Sequence, residues 1–219
     1  MRQVLAALLV VMGAWGAAGV AAASPDQLVP PVSDAARADG LIDVRTIVPD
    51  AVIDLRYATP NNFVGAPLYP ADARCLVQES MAAGLATAAD ALRPDGYVLV
   101  FWDCYRPHDV QVRLFEAVPN PNWVGRPGPY ARSHEAGLSV DVTLARGGAL
   151  EDMGTDFDDF SPRAHAYATD AVSAAAQANR ARLRDAMATG GLTVYSGEWW
   201  HFDARGADDK HPILGAPVN

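Results

Sequence analysis

The sequence lacks several features that would define a function class at once. Its 219 residues include two cysteines and one lysine, Lys210, and acidic residues exceed basic ones to give a formal charge of −9. Proteins that neutralise nucleic-acid phosphates need clustered Lys and Arg, so nucleic acid is a poor candidate partner. The chain has no glycine-rich phosphate-binding loop and no Gly-x-Ser-x-Gly elbow. These absences argue against a nucleotide-dependent enzyme and against a serine hydrolase.

Uncharged apolar runs of membrane-spanning length are missing beyond residue 23. Arg2 precedes an apolar run over residues 4–23, which ends in three alanines before Ser24. This pattern is typical of a secretory signal cleaved after Ala23, with an uncleaved N-terminal anchor helix as the alternative. We therefore expect an exported protein, periplasmic or extracellular, that has no membrane anchor after cleavage.

Export changes the interpretation of the two cysteines, because oxidising compartments allow a lone pair to form a bridge. Cys75 and Cys104 are therefore predicted to form a disulfide. A nucleophilic Cys104 is a weaker alternative, since an exported thiol with a second cysteine available tends to oxidise. A zinc site built on both thiols is also weaker, because the sequence has no Cys-x-x-Cys pair.

Periodicity divides the mature chain into a surface lead-in, residues 24–45, and one domain, residues 46–219. Helices are predicted over 77–92, about 108–117 and 163–189, and strands over 52–57, 97–102, 138–144, 193–195 and 199–202. This order predicts an α+β fold, with a central, mainly antiparallel sheet flanked by helices. Prolines and glycines exclude a helix between residue 119 and about residue 131, and so long a loop is expected to be functional.

Two short motifs place a histidine near a carboxylate. His134 precedes Asp141 by seven residues across a turn that contains Gly137, and Glu198 precedes His201 by three. Two imidazoles and one carboxylate can bind Zn²⁺ at the sheet edge and leave a fourth position for water, as in catalytic zinc sites. Glu198 would then accept a proton from that water. Spacing alone leaves a packing role for these histidines as an equal alternative.

Five motifs follow one another in a characteristic order. They are Asp54-Leu55-Arg56-Tyr57-Ala58-Thr59 with Asn62-Phe63, Asp103-Cys104-Tyr105-Arg106-Pro107, His134 with Asp141, Met153-Gly154-Thr155-Asp156-Phe157-Asp158, and Glu198-Trp199-Trp200-His201. In this order they resemble the zinc D-alanyl-D-alanine dipeptidases of the VanX kind, within the D-Ala-D-Ala metallopeptidase superfamily. The resemblance covers about residues 50–205 and favours a metal site over the packing role.

The resemblance implies a cofactor, a reaction and a set of site residues. It implies one Zn²⁺ per chain, bound by His134, Asp141 and His201. The implied catalytic groups are Glu198, as general base, and Arg106, which stabilises the tetrahedral intermediate. The implied substrate-binding residues are Asp158, which holds the free ammonium, and Ser133 and Tyr57. The implied reaction is hydrolysis of D-alanyl-D-alanine, or a related D,D-dipeptide, to free D-alanine in the cell envelope.

Two other functions remain open. One is a D,D-carboxypeptidase or endopeptidase acting on peptidoglycan stem peptides, which Asp158 disfavours because an anchored ammonium excludes an acylated amino end. The other is a catalytically silent module that binds wall peptides. Arg132, Glu135 and Ala136 depart from the family pattern around the first ligand, which leaves the substrate pocket less defined than the metal site. The remaining histidines are interpreted as surface residues: His108, His165 and His211.

Overall fold

A computed structural model describes residues 29–219. The proposed signal segment and its cleavage site lie outside the described residues. Over the described part of the chain, no helix has the length and apolar character needed to cross a membrane.

Four α-helices and eight strands form the regular structure of residues 29–219. The helices are α1 (Asp34–Ala38), α2 (Ala82–Leu92), α3 (His108–Ala117) and α4 (Ala174–Thr189). The strands are β1 (Leu41–Asp43), β2 (Val52–Ile53), β3 (Leu76–Gln78), β4 (Tyr97–Asp103), β5 (Ser139–Arg146), β6 (Ala149–Leu150), β7 (Thr193–Val194) and β8 (His201–Asp203).

The main sheet has six strands in the order β2-β4-β5-β8-β7, with β6 paired to β5. In this sheet β2 and β4 run parallel and the other pairs are antiparallel. Helices α2 and α4 pack against each other and contact β4 and β5, respectively. Phe101, Leu144 and Phe202 are fully buried in this core, and burial of each such side chain contributes about 1.5–3 kcal/mol. The predicted α+β class with a mainly antiparallel sheet is confirmed.

The predicted helix over 77–92 is shorter in the structure and begins at Ala82. Val77 instead lies in β3, opposite Ile42 of the neighbouring strand β1. Apolar residues recur every three or four positions from Val77 to Leu92, but this spacing corresponds to a helix only beyond residue 81. Within the helix, the buried face is the predicted one and contains Leu85, Ala88 and Leu92.

The predicted helix over 163–189 begins at Ala174 rather than near residue 163. Ser173 caps this helix, because its Oγ accepts the main-chain N–H of Ala176. The buried Arg180 donates to two carbonyl oxygens in the 163–165 segment, so those oxygens are paired without an α-helix. An alanine-rich composition alone did not reveal this tertiary partner.

The N-terminal expectations also differ from the structure. The 24–45 stretch is not wholly a surface lead-in, because α1 and β1 lie within it and Leu41 is buried. The strand predicted over 52–57 ends at Ile53, and a short 3₁₀ helix over Arg56–Ala58 follows. This turn brings Tyr57 to the site described below.

Cys75 and Cys104 are bonded to each other, as predicted, and close a loop with a sequence separation of 29. Closing a loop of this size stabilises the fold by about 3–4 kcal/mol in the chain-entropy treatment. We expect thiol labelling of denatured, unreduced protein to find neither sulfur free, and reduction to lower the free energy of unfolding by about that amount. Two labelled thiols, or identical denaturation curves with and without reductant, would contradict this prediction.

Candidate metal centre

Three polar residues form a row across the three central strands of the main sheet. The pairing register places Asp103 of β4 opposite Asp141 of β5, and Asp141 opposite His201 of β8. A register shift between Phe101 and Asp103 brings this row into line at the end of β4. Neighbouring strands lie about 4.8 Å apart, so side chains in such a row can share one ligand. The sheet-edge site expected from the sequence thus lies where these central strands end.

His134 enters the same region from the turn that precedes β5. Gly137 closes this turn with φ of +68°, and a Cβ there would lie 2.7 Å from a Leu41 methyl group, so a larger residue would strain the backbone and displace Leu41. The Nδ1 of His134 lies 2.7 Å from the carbonyl oxygen of Cys104. This contact favours the tautomer that donates from Nδ1 and leaves Nε2 free to bind a metal. The disulfide residue Cys104 therefore also orients His134.

The three predicted ligands converge on one point. His134 Nε2 and His201 Nδ1 lie 3.2 Å and 3.0 Å from Asp141 Oδ1, and the two nitrogens are 3.1 Å apart. All three residues are buried. This spacing fits donors that bind one Zn²⁺ through bonds of about 2.0–2.2 Å. Two imidazole lone pairs facing a buried carboxylate also require a cation, or protons, between them, so the donor set fits a metal.

Asp203 lies behind His201 and holds its orientation. The second ring nitrogen, Nε2, is 3.0 Å from Asp203 Oδ1, which also accepts a hydrogen bond from Ser139 Oγ. Although burial opposes it, the hydrogen bond from His201 keeps the pKa of Asp203 below its usual value. A carboxylate on the outer nitrogen fixes the ring and makes the inner nitrogen a better ligand. The sequence motifs do not include Asp203, although positions 201 and 203 of one strand must share a face.

We expect Asp203→Asn to weaken zinc binding by about 10–100-fold, the usual effect of removing such an outer carboxylate. Competition with a metal chelator measures this affinity directly and does not depend on activity. Asp209→Asn, at an exposed aspartate farther along the same segment, is the matched control and should bind zinc like the wild type. Equal zinc affinity in the wild type and Asp203→Asn would show that Asp203 does not support the ligand.

Glu198 lies beside the three predicted ligands and outside their cluster of donor atoms. Its Oε2 lies 4.0 Å from His201 Nδ1, too far for a hydrogen bond and near enough for one water between them. Its side chain is 21% exposed, at the wall of the cavity. Burial, and to a smaller extent the Asp141 charge, raise the pKa of Glu198 to about 7, against the effect of His201. A carboxyl group with this pKa can both take and return a proton near neutral pH.

Arg106 is held rigidly at the end of β4. Its Nε and Nη2 donate to Asp103 Oδ2 at 2.9 Å and 2.7 Å, and its Nη1 donates to Gln111 Oε1 at 2.7 Å. Tyr69 donates to the other oxygen of Asp103 at 2.6 Å, so this buried carboxylate is fully paired. Asp103 therefore positions the Arg106 guanidinium. Gln111 was missed, because nothing in its spacing links it to the site.

Asp158 and Tyr57 form a second polar cluster in the cavity. Tyr57 Oη donates to Asp158 Oδ2 at 2.9 Å, and the Arg106 guanidinium lies 5.3 Å from the centre of the Tyr57 ring. Burial, with the charges of Asp141 and Glu198, raises the pKa of Asp158 well above its usual value. Asp158 also has a positive φ of 55°, a conformation that few residues other than Gly, Asn and Asp adopt readily. The backbone is thus shaped to place this carboxylate beside the metal centre.

These groups face one cavity of about 200 Å³. The catalytic, ligand and substrate-binding residues implied by the sequence all line it: Tyr57, Arg106, Ser133, His134, Asp141, Asp158, Glu198 and His201. The long loop after α3 supplies part of its wall through residues 121–125, in agreement with a functional loop.

The residues that depart from the family pattern divide into two groups. Arg132 lies at the cavity and is exposed, whereas Glu135 and Ala136 are buried. Glu135 contacts His108 Nδ1 at 2.5 Å and accepts the main-chain N–H of Arg132 at 2.9 Å. The interpretation of His108 as a plain surface residue is therefore wrong, because it pairs with a buried carboxylate 27 positions away.

Comparison with known proteins gives concordant results. The family profile described as D-ala-D-ala dipeptidase matches residues 37–218. A D-alanyl-D-alanine dipeptidase of Escherichia coli (strain K12) is 38% identical over 175 residues, which cover 80% of this chain and 89% of that protein. A D-alanyl-D-alanine dipeptidase of Enterococcus faecium is 31% identical, over 73% of this chain and 87% of that protein.

A solved structure of the D,D-pentapeptidase VanY from a vancomycin resistance cassette, in complex with Zn(II), is 16% identical. It aligns with a TM-score of 0.40 over 64% of this chain and 84% of that chain. Because the profile spans nearly all of the described residues and the sequence relatives are matched over most of their length, the chain belongs to the D-alanyl-D-alanine dipeptidase family of metallopeptidases.

Proposed function

We propose that this protein is a zinc dipeptidase that hydrolyses D-alanyl-D-alanine to two molecules of D-alanine, with one zinc ion per chain. The observation that supports this most is the convergence of His134 Nε2, Asp141 Oδ1 and His201 Nδ1 beside an unligated Glu198. The relatives that carry this activity in their names match the chain over most of their length. A catalytically silent binding module would not need a general base beside a complete ligand set.

The mechanism assigns one task to each polar group. When bound by the three ligands, zinc supplies Lewis acidity toward the scissile carbonyl and the attacking water. Glu198 takes a proton from that water and passes it to the nitrogen of the leaving D-alanine as the C–N bond breaks. Arg106 supports the negative charge that develops on the carbonyl oxygen, with the N–H groups left over from its bonds to Asp103 and Gln111. Because these partners fix the guanidinium, it needs no reorganisation during the reaction.

Asp158 selects substrates with a free amino end. It lies in a cavity that it shares with Asp141 and Glu198, where a carboxylate charge is costly unless a cation is near. The ammonium of a dipeptide is such a cation, and it would pair with the oxygen that Tyr57 leaves open. An acylated amino end carries no charge and is bulkier, which disfavours action on peptidoglycan stem peptides. Tyr57 supports Asp158, and Ser133 lines the cavity beside His134.

The experiment that tests this function compares D-Ala-D-Ala with its N-acetylated analogue. The wild type should release D-alanine from the free dipeptide and hardly from the analogue. Asp158→Asn keeps the positive φ, which Asn tolerates, and should raise KM for the free dipeptide. The difference in kcat/KM between the free and the acetylated dipeptide should therefore become smaller. The matched control is Asp159→Asn, because Asp159 pairs with Arg163 instead, and it should keep the wild-type preference. Efficient cleavage of the acetylated peptide by the wild type would favour the D,D-carboxypeptidase or endopeptidase alternative.

We also propose that the protein acts outside the cytoplasm, in the periplasm or the extracellular space. The apolar segment at residues 4–23 and the Cys75–Cys104 bond support this location, since disulfides persist in oxidising compartments. Fractionation of producing cells, with N-terminal sequencing of the recovered protein, tests it. A chain that begins at Ser24 in the exported fraction is the expected result, and an intact N-terminus in the cytosol would contradict it.

A further inference from the structure

Arg132 presents a positive charge to the cavity without a protein partner. Arg106 and Arg132 are the two cationic side chains, histidines aside, among the described residues that line the cavity. Arg106 is engaged by Asp103 and Gln111. The Arg132 guanidinium, by contrast, makes no ion pair within 4.0 Å and no hydrogen bond to any residue in 29–219, although Asp208 lines the same cavity. An unpaired guanidinium at a substrate cavity is available for an anion.

The position of the Arg132 guanidinium is defined by the loop after α3. A Cβ on Gly125 would lie 3.1 Å from its Nε and 3.2 Å from its Nη2, so the guanidinium lies against bare backbone. The Gly125 carbonyl accepts a hydrogen bond from Gln111 Nε2 at 2.6 Å, and the other end of this amide accepts one from Arg106. Gln111 therefore connects Arg106 to the backbone segment against which the Arg132 guanidinium lies.

The backbone of Arg132 is fixed as well. Its N–H donates to Glu135 Oε2 at 2.9 Å, and Glu135 is 1% exposed and held from the other side by His108. The preceding residue, Ala131, forms a bridge with His211. These contacts hold residue 132 at the mouth of the cavity from both sides. Two departures from the family pattern, Arg132 and Glu135, thus form one structural unit.

A free dipeptide has two charged ends, and the proposed function accounts for one of them. The ammonium has Asp158, but the terminal carboxylate would be unfavourable in a cavity that already contains the carboxylates of Asp141, Asp158 and Glu198. We propose that Arg132 binds the C-terminal carboxylate of the substrate and selects peptides that end at the residue after the scissile bond. A guanidinium suits this task, because its planar N–H groups match a carboxylate in a two-bond arrangement. This inference rests on the proposed dipeptidase function.

The test measures kcat/KM for D-Ala-D-Ala and for D-Ala-D-alaninamide, which lacks the terminal charge. Arg132→Gln should lower the value for the free acid by about 10–100-fold, the range expected for a lost hydrogen bond to a charged group. For the amide, kcat/KM should change by less than about threefold. For the acid, most of the decrease in kcat/KM should come from a higher KM. Arg132→Lys keeps a point charge and should retain part of the preference for the acid.

Two further variants separate binding from structure. Arg126→Gln removes a neighbouring loop arginine that lies over the Phe115 ring rather than in the cavity. This variant should have the wild-type kcat/KM for both the acid and the amide. Gly125→Ala keeps the charge and moves the guanidinium by only a few tenths of an ångström, so it should reduce the acid-to-amide ratio less than Arg132→Gln does. If Arg132→Gln lowered kcat/KM for the acid and the amide by the same factor, the acid-to-amide ratio would stay unchanged and the assignment would be overturned. Failure of the wild type to cleave D-Ala-D-Ala would instead refute the proposed function itself.

Discussion

Glu198→Gln should retain zinc near one ion per chain and lose about 10²–10⁴-fold in kcat, the usual contribution of a general base. The amide has nearly the same shape as the carboxylate, so packing against the Trp199-Trp200 segment is preserved. It cannot take a proton from water. Because Glu198 lies outside the cluster of three donor atoms that could hold the ion, the ion should remain.

Metal analysis and steady-state kinetics on the same preparation test this separation. The matched control is Glu116→Gln, at an exposed position on α3, which should behave like the wild type in both measurements. If Glu198→Gln lost its zinc, Glu198 would have to be counted as a ligand. If it kept wild-type turnover, the proton would have to move by another route.

His201→Ala should lose both the metal and the activity. The substitution removes one of three donor atoms and leaves Asp141 and Asp203 without the imidazole that links them. Metal affinity depends on the complete ligand set, so zinc content after dialysis should fall well below one per chain. His165→Ala changes an exposed histidine outside the cavity and is the control. Circular dichroism of His201→Ala verifies that the fold survives, and tight zinc binding by the folded variant would contradict the ligand assignment.

The residues implied by the motifs come together in space, whereas several predicted elements have other bounds in the structure. The residues implied by the motifs line one cavity, although they are spread from Tyr57 to His201. The motifs describe chemistry that depends on a few side chains in fixed order. Helix bounds depend on partners far along the chain, such as Arg180, which binds the carbonyls of the 163–165 segment in place of a helix. Local periodicity contains no information about such a partner.

The residues that support the site were harder to predict than the site itself. Asp203 could have been found, because alternation along a strand places it on the same face as His201. Gln111 and the Glu135–His108 pair could not, since each depends on a contact between segments that only the fold brings together. Apolar and polar residues alternate over 138–144, a pattern typical of a strand with one buried and one exposed face. In the structure both faces are buried up to Ala145, and Asp141 of the polar face lies in the candidate metal centre.

Removal and restoration of zinc in the wild-type protein tests whether D-Ala-D-Ala hydrolysis depends on the metal. D-alanine released from D-Ala-D-Ala is measured for the purified protein, for the same protein after chelation, and after addition of one equivalent of zinc. Chelation should abolish the release of D-alanine, one equivalent of zinc should restore it, and chelated His201→Ala should not recover. Full activity in a metal-free preparation, or a restored protein that still releases no D-alanine, would contradict this dependence.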